Sequence, residues 1–390
     1  MSHLMIRPAT SRLLRTLPLR RHSSLLRTNS SIPPNLALLL PTCKDLESAR
    51  NELRWLREHV EKTTSPAKAP AVVTELCRQR GQGVPLQYIL GTQPFGSLEI
   101  LCRPNVLIPR AATESYTNHL LDLIISHNVI GPLDEIKESV NVIDVCTGTG
   151  CIPLQVFASL QRRNIMVDVK GVDVSPHALE LAKDNLDHNV KQGNIASPRE
   201  GQSIGFHKAD VFRDDEMDIF SKPGQKTWHI MTSNPPYISE EVWSEDTGDV
   251  ELSVRQHEPR LALVPERNLG DAPEGLERHD IFYSRLLDIA MELNPRILLL
   301  EIGDDAQALR VAEYCTRHPF CKSRIIELWR DCPDIKPDAN EQTEIILESS
   351  DKDQGGFGRK VPIKGSGQLR AIYVQQPIES MDMGDRKIAC

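Results

Sequence analysis

Apolar residues along the chain fall into two successive rhythms. Leu46, Ala49, Leu53, Leu56 and Val60 recur at three- and four-residue steps, which gather them on one face of a helix. Thr42 followed by Asp45 resembles a capping box at its start. A second helix through Val73, Leu76 and Cys77 is expected to stop at Gly81, giving a small helical domain over about 45–85. Residues 86–110 then break into short apolar runs between Gly and Pro, which predicts a β-hairpin linker. From about residue 140 the rhythm becomes strand, helix, strand. "VNVIDV", "VDVKGVDV", "IGFHKADVF", "WHIMTSN", "RILLLEIG" and "SRIIELWRD" read as strands, and "AIYVQQ" as a last one. Helices separate most of them, and the one after "VDVKGVDV" opens with Ser175 and Pro176, a good cap and first-turn residue. Such alternation predicts an α/β fold, a parallel doubly wound sheet with helices on both faces, over 111–390. Residues 333–368, rich in Gly and charge, read as a flexible insert.

Charge changes the picture at the N-terminus. Residues 1–44 hold six Arg and one Lys but no Asp or Glu, and the Arg residues are interleaved with Leu, Ser and Thr. That is the composition of a mitochondrial transit peptide, so 1–44 is expected to be a disordered import segment. A basic nucleic-acid-binding tail is the rival reading. Without this segment the net charge of −8 falls to about −15, which disfavours a broad phosphate-binding face and stable nucleic-acid binding. No apolar run approaches the roughly 20 residues of a membrane span. The nine cysteines include no Cys-x-x-Cys, and no His pair has ligand spacing, so no metal site is expected.

Candidate chemistry gathers at strand ends. In "VIDVCTGTG", Gly148 and Gly150 allow a sharp turn and a close backbone approach to a ligand. Asp173, at the tip of the next strand, can accept hydrogen bonds from the two hydroxyls of a ribose. Asp210, read as ending the third strand, can accept from an adenine amino group. A dinucleotide fingerprint needs a small third residue where Pro153 stands, and the P-loop pattern is absent. S-adenosylmethionine fits, because it needs the glycines and the ribose acid without a pyrophosphate cradle. At the end of the fourth strand comes "NPPY". Pro235 and Pro236 stiffen the turn, Asn234 offers a carbonyl acceptor beside a backbone carbonyl, and Tyr237 adds a ring and a hydroxyl. Two acceptors can hold the two N–H bonds of an –NH2 group with its nitrogen aimed at a methyl donor. A rigid turn with a buried aromatic is the bland alternative.

With these motifs the sequence resembles the release-factor glutamine N5-methyltransferases of the HemK/PrmC type. The likeness runs through "PLQYILG", "VLIPRAATE", "DVCTGTG", "VDVSP", "SNPPYI", "HEPRLAL" and "LLLEIG". It implies a class I, Rossmann-like methyltransferase sheet behind a helical substrate-binding domain. It also implies S-adenosyl-L-methionine as cofactor, held by Cys146, Thr147, Gly148, Thr149, Gly150, Asp173, Asp210, Val211 and Asn234. Asn234, Pro235 and Tyr237 would be catalytic, and Pro236, Arg110 and Glu114 would help bind substrate. The implied partner is a mitochondrial peptide-chain release factor, methylated in its Gly-Gly-Gln loop in the matrix. A ribosomal-protein glutamine, a DNA adenine amino group and a non-catalytic release-factor-binding module are the alternatives. The chain departs from the family at Ala111 and Ala112, where a Pro and an acid are usual, and at Cys146, where many members have Gly.

Overall fold

The computed structural model describes residues 32–133, 136, 139–221, 227–244, 250–347 and 358–377. Residues 1–31, and with them most of the expected import segment, lie outside the described residues. The chain divides into two compact units, Met1–Gly83 and Val84–Cys390.

Among its described residues the first unit packs three helices, α1 (Pro34–Cys43), α2 (Leu46–Thr63) and α3 (Ala69–Gly81). The helix α1 corrects the expectation that 1–44 is disordered. Pro34 occupies the first turn, where a missing N–H costs nothing, Leu36 and Leu39 are buried, and Lys44 ends the helix at φ 67°. The continuous apolar run 36–40, next to a basic leader, carries too little periodicity to show this. Asp45, not Thr42, caps α2, accepting from the Ser48 N–H at 2.8 Å. The Thr42 hydroxyl instead donates to the Arg80 carbonyl at 2.9 Å. Arg80 also donates to both carboxylate oxygens of Glu52, at 2.8 and 2.9 Å. Gly81 permits a tight crossing, since a Cβ there would lie 2.1 Å from the Leu38 carbonyl oxygen.

The second unit opens with a short helix, α4 (Leu86–Leu90), so the expected hairpin occupies only part of 86–110. Strands β1 (Thr92–Phe95) and β2 (Leu98–Leu101) pair antiparallel. The Arg110 backbone then leads into α5 (Ala111–Ser126), which is followed by β3 (Val140–Val145), α6 (Cys151–Gln161), β4 (Val167–Asp173), α7 (Pro176–Lys191), β5 (Gln202–Lys208) and β6 (Ile230–Ser233). Two buried asparagines of α7 hold the hairpin by its backbone. Asn185 accepts from the Leu101 N–H at 2.6 Å and Asn189 from the Glu99 N–H at 3.1 Å. Asn185 also donates to the Thr149 carbonyl at 3.0 Å, so hairpin and Gly-rich turn share one anchor.

Helix α8 (Ile281–Leu293), β7 (Ile297–Glu301), α9 (Asp305–Arg317) and β8 (Ile325–Cys332) follow, and β9 (Glu344–Leu347), β10 (Arg359–Lys364) and β11 (Ser366–Gln375) complete a nine-stranded sheet. Its order is β5-β4-β3-β6-β7-β11-β8-β10-β9. The first five strands are parallel, whereas β11 runs antiparallel to both β7 and β8. This is the sheet that the resemblance implies, with two strands, β10 and β9, added beyond β8. All six residues of β3 are buried, as expected of a central strand covered on both faces. Chain order reverses at β3, with β4 on one side and β6 on the other, which opens a crevice at their carboxyl ends.

The reading of 333–368 as a flexible insert is corrected where it is described. β10 pairs parallel with β8 and antiparallel with β9. Only Val361 and Ile363 of β10 and Leu347 of β9 are buried hydrophobics, so the strands carry little apolar alternation to read. The Gly-rich stretch 348–357 lies outside the described residues. Among the described residues no helix is long and apolar enough to cross a membrane.

Candidate active site

The crevice is a cleft of about 520 Å³, walled by residues 105–110, the turn after β3, the ends of β4 and β5, the turn after β6 and the segment 259–269. Three left-handed residues shape the turn after β3: Cys146 at φ 61°, Gly148 at 55° and Gly150 at 77°. Cys146 carries a Cβ in a conformation that glycine adopts without strain. The two glycines differ in purpose. A Cβ on Gly148, which lines the cleft, would stand in open space, so the bare backbone there is a cradle for a ligand. A Cβ on Gly150 would come within 3.0 Å of Ala182 and 3.1 Å of the Phe206 ring. Gly150 therefore serves the packing of α7 and β5 and does not line the cleft, contrary to its expected ligand contact.

Asp173 ends β4 at the cleft wall. Its two carboxylate oxygens accept from the N–H groups of Gly148 and Ser175, each at 2.8 Å. Burial raises its pKa, and the N–H groups of Ser175, Gly148 and Val174 pull against that shift. Asp210 lies in the turn beyond β5, not on the strand, because pairing with β4 ends at Lys208. Its carboxylate accepts from the Phe212 N–H at 2.9 Å. Asp210, Val211 and Phe282 of α8 line the cleft together.

Across the cleft stands the turn after β6. The Ser233 hydroxyl donates to the Val145 carbonyl at 2.8 Å, and the N–H groups of Tyr237 and Ile238 both donate to the Leu263 carbonyl. Between these fixed ends Asn234 and Pro236 line the cleft. The Asn234 side-chain amide makes no hydrogen bond to any described residue. Neither Pro235, which is buried, nor Tyr237 lines the cleft, so the expected site contacts of both side chains are corrected. The Tyr237 hydroxyl donates instead to Glu301, at 3.2 Å.

Arg110 lines the cleft, but its guanidinium donates to Glu258 at 2.7 Å and to the Ile108 carbonyl at 3.1 Å. Glu114 lies away from it, where its carboxylate accepts from the Gly96 N–H in the β1–β2 turn at 2.9 Å. Glu114 thus holds the hairpin, and its expected substrate contact is not seen.

No family model matches the chain. It is 36% identical over 252 residues to the mitochondrial MRF1 N(5)-glutamine methyltransferase MTQ1 of Saccharomyces cerevisiae, covering 63% of this chain and 68% of that one. A probable MRF1 mitochondrial N(5)-glutamine methyltransferase of Schizosaccharomyces pombe is 31% identical, over 70% of this chain and 82% of the relative. This chain belongs to the release-factor N5-glutamine methyltransferases. The release factor glutamine methyltransferase of Bacillus subtilis, at 33% identity, matches 57% of this chain and 64% of its own length. Among solved structures, the human Mettl16 catalytic domain with a MAT2A 3′UTR hairpin is 16% identical with a TM-score of 0.42, over 78% of this chain and 83% of that one. That likeness is too low to carry a functional comparison.

Three acids of this methyltransferase have no role in the sequence reading. Glu258 joins Arg110 to the Ile108 N–H, and Glu301 sits under Tyr237. Asp144, 1% exposed in the middle of the sheet, accepts from the hydroxyls of Thr147 and Thr232, each at 2.6 Å. It thereby links the turn after β3 to the strand that carries Asn234. The one available signal was an acid inside a strand otherwise apolar but for Asn141, since an acid is rarely left buried unless paired.

Burial raises the Asp144 carboxyl from an ordinary value of 3.8 to about 7, against the pull of both threonine hydroxyls. The raised value favours the protonated fold. Its stabilising contribution is therefore complete below about pH 4 and lost as the pH rises through 7. Asp144→Asn, neutral throughout, is expected to flatten that loss, which amounts to up to about 4 kcal/mol. Its amide can still donate to one threonine hydroxyl. Denaturant titrations from pH 4 to 8 in which variant and parent run parallel would contradict this assignment.

Proposed function

We propose that this enzyme transfers the methyl group of S-adenosyl-L-methionine to the side-chain amide nitrogen of the glutamine in the Gly-Gly-Gln loop of a mitochondrial peptide-chain release factor. The observation that carries the reading is the Asn234 amide, without a hydrogen-bond partner among the described residues and held on a stiff turn in the same cleft as Asp173 and the bare backbone of Gly148. The relatives, named as release-factor glutamine methyltransferases, support the substrate.

The residues present fit this cofactor. Asp173 would take the ribose hydroxyls, Thr147 to Thr149 the amino-acid portion, and Asp210 and Val211 the adenine. When bound, the cofactor supplies a methyl group on a sulfonium, a good leaving group. An amide nitrogen is a weak nucleophile because its lone pair is delocalised. In this reading Asn234 accepts one N–H of the glutamine amide and the Pro235 carbonyl the other. The two acceptors orient the group and stabilise positive charge developing on nitrogen, and Pro235 and Pro236 keep the geometry fixed beforehand. No protein base is required before attack.

The deciding measurement is mass spectrometry of release factor incubated with enzyme and isotopically labelled cofactor. Label on the Gly-Gly-Gln glutamine supports the proposal, and label only on a ribosomal protein, a nucleic acid or nothing overturns it. The acid-free leader and the mitochondrial relatives support a matrix location. Deleting 1–31 is expected to abolish mitochondrial accumulation and to keep activity in vitro, as followed by fractionation and the same assay. A cut reaching residue 40 would remove most of α1 and with it the buried Leu36 and Leu39.

A further inference from the structure

Beneath the Asn-Pro-Pro-Tyr turn lies a buried polar cluster that the mechanism above leaves without a task. Glu301, at the end of β7, is 1% exposed. One of its oxygens accepts from the hydroxyls of Thr113 and Tyr116 on α5, at 2.6 and 2.8 Å. The other accepts from the Tyr237 hydroxyl at 3.2 Å. Burial raises the Glu301 pKa while the hydroxyls of Thr113 and Tyr116, nearby Arg370 and the Tyr237 hydroxyl pull it back. Burial, with Glu301 beside it, also drives the Tyr237 hydroxyl well above its ordinary value, so it remains a donor. Tyr237 is held on every side. Its carbonyl accepts from Gln307 at 3.1 Å, its N–H donates to Leu263, and its ring lies where a Cβ on Gly303 would approach to 2.8 Å. Three residues earlier the Asn234 side chain has no such partner among the described residues. The contrast assigns the two ends of the motif different work: one anchors, the other reaches into the cleft.

We infer that Glu301 is a positioning residue for methyl transfer: through the Tyr237 hydroxyl it sets the Asn-Pro-Pro-Tyr turn, and through Thr113 it ties that turn to the α5 wall of the cleft. The inference rests on the function proposed above. A shift of about an ångström in an acceptor is enough to cost on the order of 100-fold in rate. A carboxylate shared by three hydroxyl donors from two elements fixes an acceptor turn at that scale without touching substrate.

The test uses full-length enzyme, release factor and S-adenosylhomocysteine. Glu301→Gln keeps size and one carbonyl acceptor, and Tyr237→Phe removes only the hydroxyl at the far end, so folding is checked on two gentle variants by thermal melting. Each is expected to lower kcat about 10- to 100-fold, with KM for release factor and S-adenosylhomocysteine affinity within about two-fold of the parent. The double variant is expected to be no slower than the slower single one, because both changes cut the same link. Unchanged kcat in Glu301→Gln overturns the inference, as does a fall in kcat matched by equal losses in both affinities. Multiplying defects in the double variant overturn it as well. If the parent enzyme itself labels no release factor, the proposed function fails first and the positioning role with it. If the parent is active, the variants alone decide.

Discussion

Asn234→Ala is expected to lower turnover on a glutamine substrate about 100- to 1,000-fold, the usual cost of removing one preorganised electrostatic partner from a reacting group. The expectation follows from where Asn234 sits and from what it lacks. Its neighbours spend their hydrogen-bonding groups on the fold: Ser233 on the Val145 carbonyl, Tyr237 on Leu263, Gln307 and Glu301. Asn234 spends its side chain on no described residue while lining the cleft. Deleting the amide therefore breaks no internal bond, and melting temperature is expected to stay close to that of the parent. S-adenosylhomocysteine affinity should fall far less than kcat, since Asp173 and the Gly148 turn lie on the other side of the crevice. Asn234→Asp separates acceptance from donation. A carboxylate accepts from an N–H at least as well as an amide but cannot donate, and its charge lies beside a nitrogen that becomes positive. If Asn234 works by accepting, the Asp variant keeps turnover at least about tenfold above the Ala variant. Equal loss in both would mean that the amide N–H is the working group. Near-parental turnover in Asn234→Ala would reduce the motif to a stiff turn.

Much of this arrangement was legible because it is local in sequence. The alternation from β3 to α7 is carried by runs of five or more apolar-rich residues, and the turn after β3 by glycines whose positive φ is a property of single residues. The misreadings are all cases where local signal was weak or the deciding contact was distant. Helix α1 has only two buried leucines to mark it, and in β9, at the sheet edge, Ile346 faces out and only Leu347 is buried, so neither shows a clear burial period. Glu114 looked like a site residue by its motif, yet its partner is Gly96, eighteen positions earlier in the hairpin. Glu258 meets Arg110 across 148 positions and Glu301 meets Thr113 across 188. Such partnerships depend on which strands neighbour one another in the sheet, and one-dimensional spacing does not carry that information. Function nevertheless read well, since the chemistry sits at strand ends that one sheet order brings to a single crevice.

Asp173→Ala is expected to weaken S-adenosylhomocysteine binding by at least about 100-fold. Two charge-assisted hydrogen bonds to a ribose are worth roughly 1.5–3 kcal/mol each, and every 1.4 kcal/mol is tenfold in affinity. The carboxylate already accepts the N–H groups of Gly148 and Ser175. Each oxygen keeps a lone pair for a ligand hydroxyl, since an ionised carboxylate has about four acceptor sites. Those internal bonds give Asp173 a second task, holding the turn after β3 against the start of α7. Alanine therefore removes the ribose acceptor and also releases the loop that cradles the rest of the ligand. Asp173→Asn divides the two effects. Its single carbonyl oxygen can serve one N–H or one hydroxyl but not the full set, and its amide opposes any donor. Affinity for the Asn variant is expected between that of Ala and the parent. Isothermal titration calorimetry with S-adenosylhomocysteine gives the order directly, and thermal melts of the ligand-free proteins report what the loop alone has lost. Parental affinity in Asp173→Ala would place the nucleoside away from β4 and overturn the assignment of this end of the cleft. A large drop in ligand-free stability with little change in affinity would leave Asp173 as a strut between two turns.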